Sequence, residues 1–232
     1  MQEAPEQLKI LEQEVTGCQK CPRLVVYREK VAREKRRAFL GWEYWGRPVP
    51  GFGDPRAELF ILGLAPAAHG ANRTGRVFTG DRSGDFLYAA LHRAGFANQP
   101  GSTHRGDGLQ LKNAFIAAAV RCAPPANKPL PSERFNCRSY VERELALIKP
   151  KVLLALGKIA WDAYLDILKS LGMIASRSKF VFAHGAEAEL PGNGPKLVGV
   201  YHPSQQNTQT GRVTAAMYSA VLTRIRNRLA AS

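Results

Sequence analysis

A continuously apolar run, Leu59-Phe60-Ile61-Leu62, ends in Gly63, and Pro66 follows three residues later. Apolar residues without alternation leave no face for water, which is the pattern of a strand buried on both sides in a parallel sheet. Gly63 and Pro66 force a turn at the strand's carboxyl end, the edge where open α/β sheets hold ligands. The loop that follows, residues 64–81, is long, glycine-rich and supplied with one aromatic (Phe78) and one carboxylate (Asp81). Its content predicts a site rather than a linker.

The rest of the chain repeats the strand-then-helix alternation. Buried strands are expected at 113–120, 152–156 and 197–201. A first helix begins at Pro5, carries Leu8, Leu11 and Val15 at helical spacing, and closes at Gly17; a second runs from about Arg23 into a basic run. Another is expected at 83–94, stopped by Gly95. Ser132 can cap a helix whose apolar face includes Phe135, Val141, Leu145 and Ile148. Gly157 turns into a helix reaching about Leu171, and the last helix shows Val213, Met217, Val221, Ile225 and Leu229 as one stripe. Residues 41–55 read as an irregular loop, 98–107 as a surface loop, and 172–194 as a variable loop with a hairpin. The expected fold is a three-layer α/β/α sandwich with a central four-stranded parallel sheet, one domain over residues 1–232.

No apolar run approaches the ~18–20 residues that span a bilayer, so no membrane partner is expected. The first six residues, Met1-Gln2-Glu3-Ala4-Pro5-Glu6, are polar and acidic, unlike a secretory signal, which predicts a cytoplasmic monomer. Lys and Arg number 33 against 19 Asp and Glu, a net charge of +14 that favours an anionic polymer as partner, nucleic acid first. Much of this charge is clustered, in residues 28–37 and 224–228.

The four cysteines are Cys18, Cys21, Cys122 and Cys137. Disulfides are rare in the cytosol. Cys18-x2-Cys21 at a helix end makes poor core, so four thiolates for a metal are favoured over four isolated core residues. Spacing alone does not separate structural zinc from an iron–sulfur cluster.

All four predicted strands send loops to one rim, which gathers Phe78, Asp81, Asn127 and His202. No phosphate-binding glycine motif and no nucleophile elbow is present. An amide beside an aromatic ring suits recognition of a flat heterocycle by its hydrogen-bonding edge.

Three stretches carry a resemblance: Gly63-Leu64-Ala65-Pro66-Ala67-Ala68-His69-Gly70-Ala71-Asn72-Arg73-Thr74-Gly75, then Arg121-Cys122-Ala123-Pro124-Pro125, then Tyr201-His202-Pro203-Ser204-Gln205-Gln206-Asn207. With all four cysteines in order, the chain resembles family 5 (b-type) enzymes of the uracil-DNA glycosylase superfamily. The resemblance implies excision of uracil, and of other deaminated bases such as hypoxanthine, from DNA by hydrolysis of the N-glycosidic bond. It implies a [4Fe–4S] cluster on Cys18, Cys21, Cys122 and Cys137, tying residues 1–40 to the core. Phe78 would stack on the flipped base and Asn127 would read its edge. His202 and the backbone of Gly63, Leu64 and Ala65 would meet the leaving anion. Asp81 would position water or offset the sugar cation, although Asp ahead of a helix is also a favoured cap. His69, Asn72 and Arg73 are assigned to loop structure or DNA contact, and Gln205 and Gln206 to the gap left by the flipped base. Other superfamily members keep a carboxylate where Leu64 and Ala65 stand here. Competing readings are a non-catalytic iron–sulfur DNA-binding module and a zinc-stabilised RNA-binding protein.

Overall fold

The computed structural model describes residues 4–192 and 194–231; Met1–Glu3 of the polar N-terminus, Asn193 of the variable loop and Ser232 lie outside the described residues. Four five-residue strands, β2 (Leu59–Gly63), β3 (Ala114–Ala118), β4 (Val152–Leu156) and β6 (Lys196–Val200), form a parallel core in the order β3-β2-β4-β6. That core is the expected four-stranded sheet. Two strands of two residues each, β1 (Phe52–Gly53) and β5 (Glu187–Ala188), extend it antiparallel at either edge to six. Segments so short carry no period for a sequence to display; the hairpin expected within 172–194 is instead a pairing of β5 with β6.

Alternate side chains of each strand feed opposite layers. Leu59, Ile61, Ile116, Leu154 and Val198 point to one face, where they meet α4 (Arg82–Arg93) and α8 (Ala215–Ala230). Phe60, Leu62, Phe115, Leu153 and Leu197 point to the other, against α6 (Lys158–Ser170) and the Val141 and Ile148 side of α5 (Pro131–Ile148). Helix α1 (Ala4–Thr16) packs on α5 through Leu11, Val15 and Tyr140, and α2 (Pro22–Glu34) follows it. A single turn, α3 (Ala71–Thr74), interrupts the loop after β2, and α7 (Gln205–Gln209) follows β6.

Three helix details differ from expectation. Leu130, not Ser132, is the N-cap of α5: Pro131 fills the first turn and the Glu133 carboxylate accepts from the Leu130 amide at 2.7 Å. A backward-reaching Glu at the third position satisfies the end without a capping hydroxyl. Phe135 is 66% exposed rather than on the buried face, because Glu133, Cys137, Tyr140, Val141 and Glu144 take that face. In α8, Tyr218 and Leu222 share the buried stripe with Val221, Ile225 and Leu229, while Val213 precedes the helix and Met217 is half-buried.

A buried ion pair fastens the layers. Arg121, just past β3, donates to Glu144 of α5 at 2.5 Å, both almost wholly enclosed. Removing one partner strands a charge in the interior, which costs far more than the pair contributes. Glu144→Ala is therefore expected to lower stability by about 3–5 kcal/mol, read as a drop in the urea midpoint.

Candidate active site

The parallel register sets Gly63, Ala118, Leu156 and Val200 side by side at the ends of their strands. The chain leaves β2 toward β3 on one side and β4 toward β6 on the other, so the order reverses at β2/β4. A crevice outside the carboxyl ends is expected at such a switch point. A cavity of about 420 Å³ lies at that rim, lined by Leu64, Ala65, Phe78, Asp81, Asn127, His202, Gln205 and Gln206. Pro66, Ala67, Val77, Ser83, Ala118 and Ser204 complete its wall. Of these, Ser204 lies inside the third motif but drew no attention, since a serine carries no signature of its own.

Phe78 reaches the rim in the left-handed region, φ 51°. Its ring packs onto the end of β2: a Cβ on Gly63 would sit 2.6 Å from it. Gly63 thus serves the site by what it lacks. The Phe78 ring lies 5.9 Å from that of His202, tilted by 34°. The His202 main chain is pinned from several sides. Asn207 Nδ2 donates to the His202 carbonyl at 2.9 Å, Tyr218 Oη donates to the Tyr201 carbonyl at 2.7 Å, and the Tyr201 amide donates to His184 Nδ1 at 3.3 Å. Burial pushes the His202 imidazole down to about 4, so the ring is neutral at pH 7.

Asp81 caps α4, its Oδ1 accepting from the Gly84 amide at 3.0 Å. Its other oxygen lies against Gly70, where any Cβ would collide with it. Burial raises the Asp81 carboxyl, opposed by the amides of Gly84 and Ser83 and by the charge of Arg73. Asp81 is thus both the cap of α4 and a lining residue of the cavity. Asn127 is exposed, in a left-handed turn with Ala126 (φ 55° and 53°). Arg23 of α2 holds this loop, donating to the Lys128 carbonyl at 3.2 Å and to Glu133 at 2.8 and 2.7 Å.

Of the three residues assigned to loop structure or DNA contact, Asn72 and Arg73 take the first role. Asn72 is fully buried and donates to the Arg28 carbonyl at 3.2 Å. Arg73 is 3% exposed, its guanidinium packed at 3.9 and 4.1 Å against the mutually perpendicular rings of Phe39 and Trp42. It donates to the carbonyls of His69 (2.8 Å) and Gly80 (2.7 Å), tying the two arms of the loop together. Both side chains are therefore loop supports, withdrawn from any phosphate. His69 is half-buried, its Nδ1 3.1 Å from Tyr44 Oη. Arg28 is likewise buried and leaves the basic run, whereas Arg33, Arg36 and Arg37 are exposed.

Cys18, Cys21, Cys122 and Cys137 line one small cavity with Arg28, Arg121 and Asn136. Arg28 Nη1 donates to Cys122 Sγ at 3.0 Å and Asn136 Nδ2 to Cys21 Sγ at 3.4 Å. Burial pushes the Cys137 thiol up to about 12 and raises that of Cys122. Among the described residues no three His, Cys, Asp or Glu side chains are grouped as ligands for a metal ion. The four thiols share the lining of that one small cavity.

With this geometry in view, the comparisons with known proteins are specific. The family model described as the uracil DNA glycosylase superfamily matches residues 50–226, and the chain belongs to that superfamily. Within it, the chain is similar to proteins named type-5 uracil-DNA glycosylase. That of Mycobacterium tuberculosis is 54% identical over 205 residues (88% of this chain, 75% of the relative). That of Thermus thermophilus is 52% identical over 211 residues (90% and 93%), and that of Pyrobaculum aerophilum 43% over 210 (90% and 88%).

The neutral His202 has a stability signature. The unfolded chain takes up this proton near 6.5, the folded chain only near 4. The folded state thus loses ground as pH falls through 6.5, and the loss levels off below 4. Its full size is on the order of 3 kcal/mol. His202→Gln is expected to show a shallower stability decline between pH 7 and 4.5, measured by urea unfolding at each pH.

Proposed function

We propose that the protein excises uracil from DNA by hydrolysing the N-glycosidic bond, leaving an abasic site. The observation that carries this reading is the convergence of Phe78, Asp81, Asn127 and His202 on one 420 Å³ cavity at the sheet's switch point. Membership of the superfamily and the printed activity of the type-5 relatives support it.

A base inside a duplex cannot reach this cavity, so it must first be extruded. Arg33, Arg36 and Arg37 are exposed, and the charge of Arg36 is felt at His69, which brings basic surface beside the rim loop. These cations hold phosphate, and exposed Gln205 and Gln206 at the mouth fill the vacated stack. The flipped ring lies on Phe78. Asn127 offers one donor and one acceptor, matching the O4/N3 edge of uracil and misfitting cytosine.

Cleavage breaks the bond from C1′ to the base nitrogen, and its electron pair leaves with the base. The sugar becomes oxocarbenium-like and a water oxygen then bonds to C1′. A neutral His202 donates a hydrogen bond to the departing anion without losing a proton. The Asp81 carboxylate faces the cation and accepts the proton of the incoming water. Leu64 and Ala65 leave the cavity without a carboxylate at the β2 turn, which supports a broader choice that extends to hypoxanthine.

The four cysteines fit a [4Fe–4S] cluster: four thiols around one cavity, with N–H donors already aimed at two sulfurs, as cluster sulfurs accept. Likeness to the type-5 enzymes, rather than the thiol geometry, favours the cluster over one zinc ion. Bound there, the cluster would join α2, the Asn127 loop and α5, and its part is structural. Cys122→Ala is expected to purify without iron and to melt at a lower temperature.

Replacing Asp81 by Asn or His202 by Gln should slow single-turnover uracil excision by about 10²–10³-fold, with little change in affinity for uracil-containing DNA. Because Asp81 is raised by burial, the acid limb of the wild-type rate is expected above the ordinary 3.8 and absent in Asp81→Asn. An Asp81→Asn protein that cleaves at the wild-type rate would reduce Asp81 to a cap. Asn127→Ala should slow excision of uracil more than of hypoxanthine, in rates measured on matched oligonucleotides.

A further inference from the structure

A second groove, of about 440 Å³, opens between α5 and α6 and shares no lining residue with the rim cavity. Leu62, Val141, Ala163 and Ile167 make its floor apolar. Phe135 stands at its edge, 66% exposed. An exposed aromatic beside an apolar depression is the composition of an interaction anchor.

The charge around the groove is unbalanced. Arg134, Arg138 and Lys169 line it, against one carboxylate, Asp166. Asp166 is engaged by Arg177 at 3.2 Å, and Arg138 by Glu142 at 2.9 Å. Arg134 and Lys169 have no ion-pair partner among the described residues. Two uncommitted cations therefore flank an apolar slot.

We infer that this groove docks a short acidic segment of a partner protein, with a bulky apolar side chain on the floor and carboxylates against Arg134 and Lys169. Charge complementarity selects this occupant. A second copy of a chain carrying +14 would bring cations onto cations. Single-stranded nucleic acid needs an open aromatic face to stack on. Here the guanidinium of Arg138 covers the Phe135 ring at 4.9 Å, and Asp166 would oppose phosphate. The separation of the two cavities leaves the rim free while the groove is filled. This inference stands without the proposed reaction.

The test is a random dodecapeptide phage library panned on the whole protein and counter-selected on Arg134→Gln/Lys169→Gln. Retained sequences are expected to place Asp or Glu around a Leu, Ile, Phe or Trp. A fluorescein-labelled peptide of that sequence should lose at least about tenfold in affinity on the double variant and on Phe135→Ser. It should also weaken with salt, and both variants should melt at the wild-type temperature. Three outcomes overturn the inference: no differentially retained sequence, a consensus without acidic residues, or equal affinity for wild type and Phe135→Ser. Labelled dT12 that loses about tenfold on the double variant would assign the groove to nucleic acid and overturn it as well.

Discussion

Strand β2 has parallel partners on both edges, and the level at which it stops fixes where everything else in the site stands. Its register with β3 and β4, and that of β4 with β6, aligns four carboxyl ends to within a residue. The loops that leave those ends start from one plane, so residues as distant in sequence as Phe78 and His202 come within ring contact. Gly63, the last residue of β2, is also the surface on which Phe78 rests. The sheet is thus more than a platform, since its last backbone unit is one wall of the Phe78 ring's seat.

A second layer of support is ionic and internal. Arg28, Arg73, Arg76 and Arg121 are all buried, and each fastens a stretch of irregular chain. Arg76 Nη2 donates to both carboxylate oxygens of Asp107, at 2.8 and 2.7 Å, and Arg121 grips Glu144. Arg73 holds the rim loop closed through two carbonyls. Loops this long cannot satisfy their own backbone groups, and guanidinium, with five donors in a flat fork, can serve several carbonyls at once. Within the formal charge of +14, the buried guanidiniums of Arg28 and Arg73 are supports of the chain and not part of its exposed basic surface.

The parallel core was readable because four apolar runs without alternation admit few other interpretations, and the boundary of β4 fell where Gly157 and Val152 put it. The two edge strands were not readable, each being two residues whose pairing depends on a neighbour far away. Phe135 misled for a different reason: apolar residues at helical spacing reveal a face, but not which of two candidate faces the cysteine-bearing side of α5 will claim. For Asn72 and Arg73 the sequence leaves loop support and DNA contact open, and burial decides for loop support. Nothing local announces that Phe39 and Trp42, some thirty residues earlier, will enclose a guanidinium. The gathering of Phe78, Asp81, Asn127 and His202 was anticipated from strand ends together with the motifs, since topology alone would not have chosen those residues from their loops.

The left-handed backbone at residue 127 has a consequence for how this position can vary. Among side chains, only glycine, asparagine and, less readily, aspartate sit in that region at small cost. Of these, asparagine alone presents both a donor and an acceptor. The turn and the proposed reading of a base edge would therefore select the same residue independently. Phe78 is the opposite case: its φ of 51° is one that an aromatic residue seldom adopts, so the surrounding fold, not the residue, must hold it there. One position is locked by its own chemistry and the other by its neighbours, so random substitution should find few tolerated changes at the first and many distant ways to disturb the second.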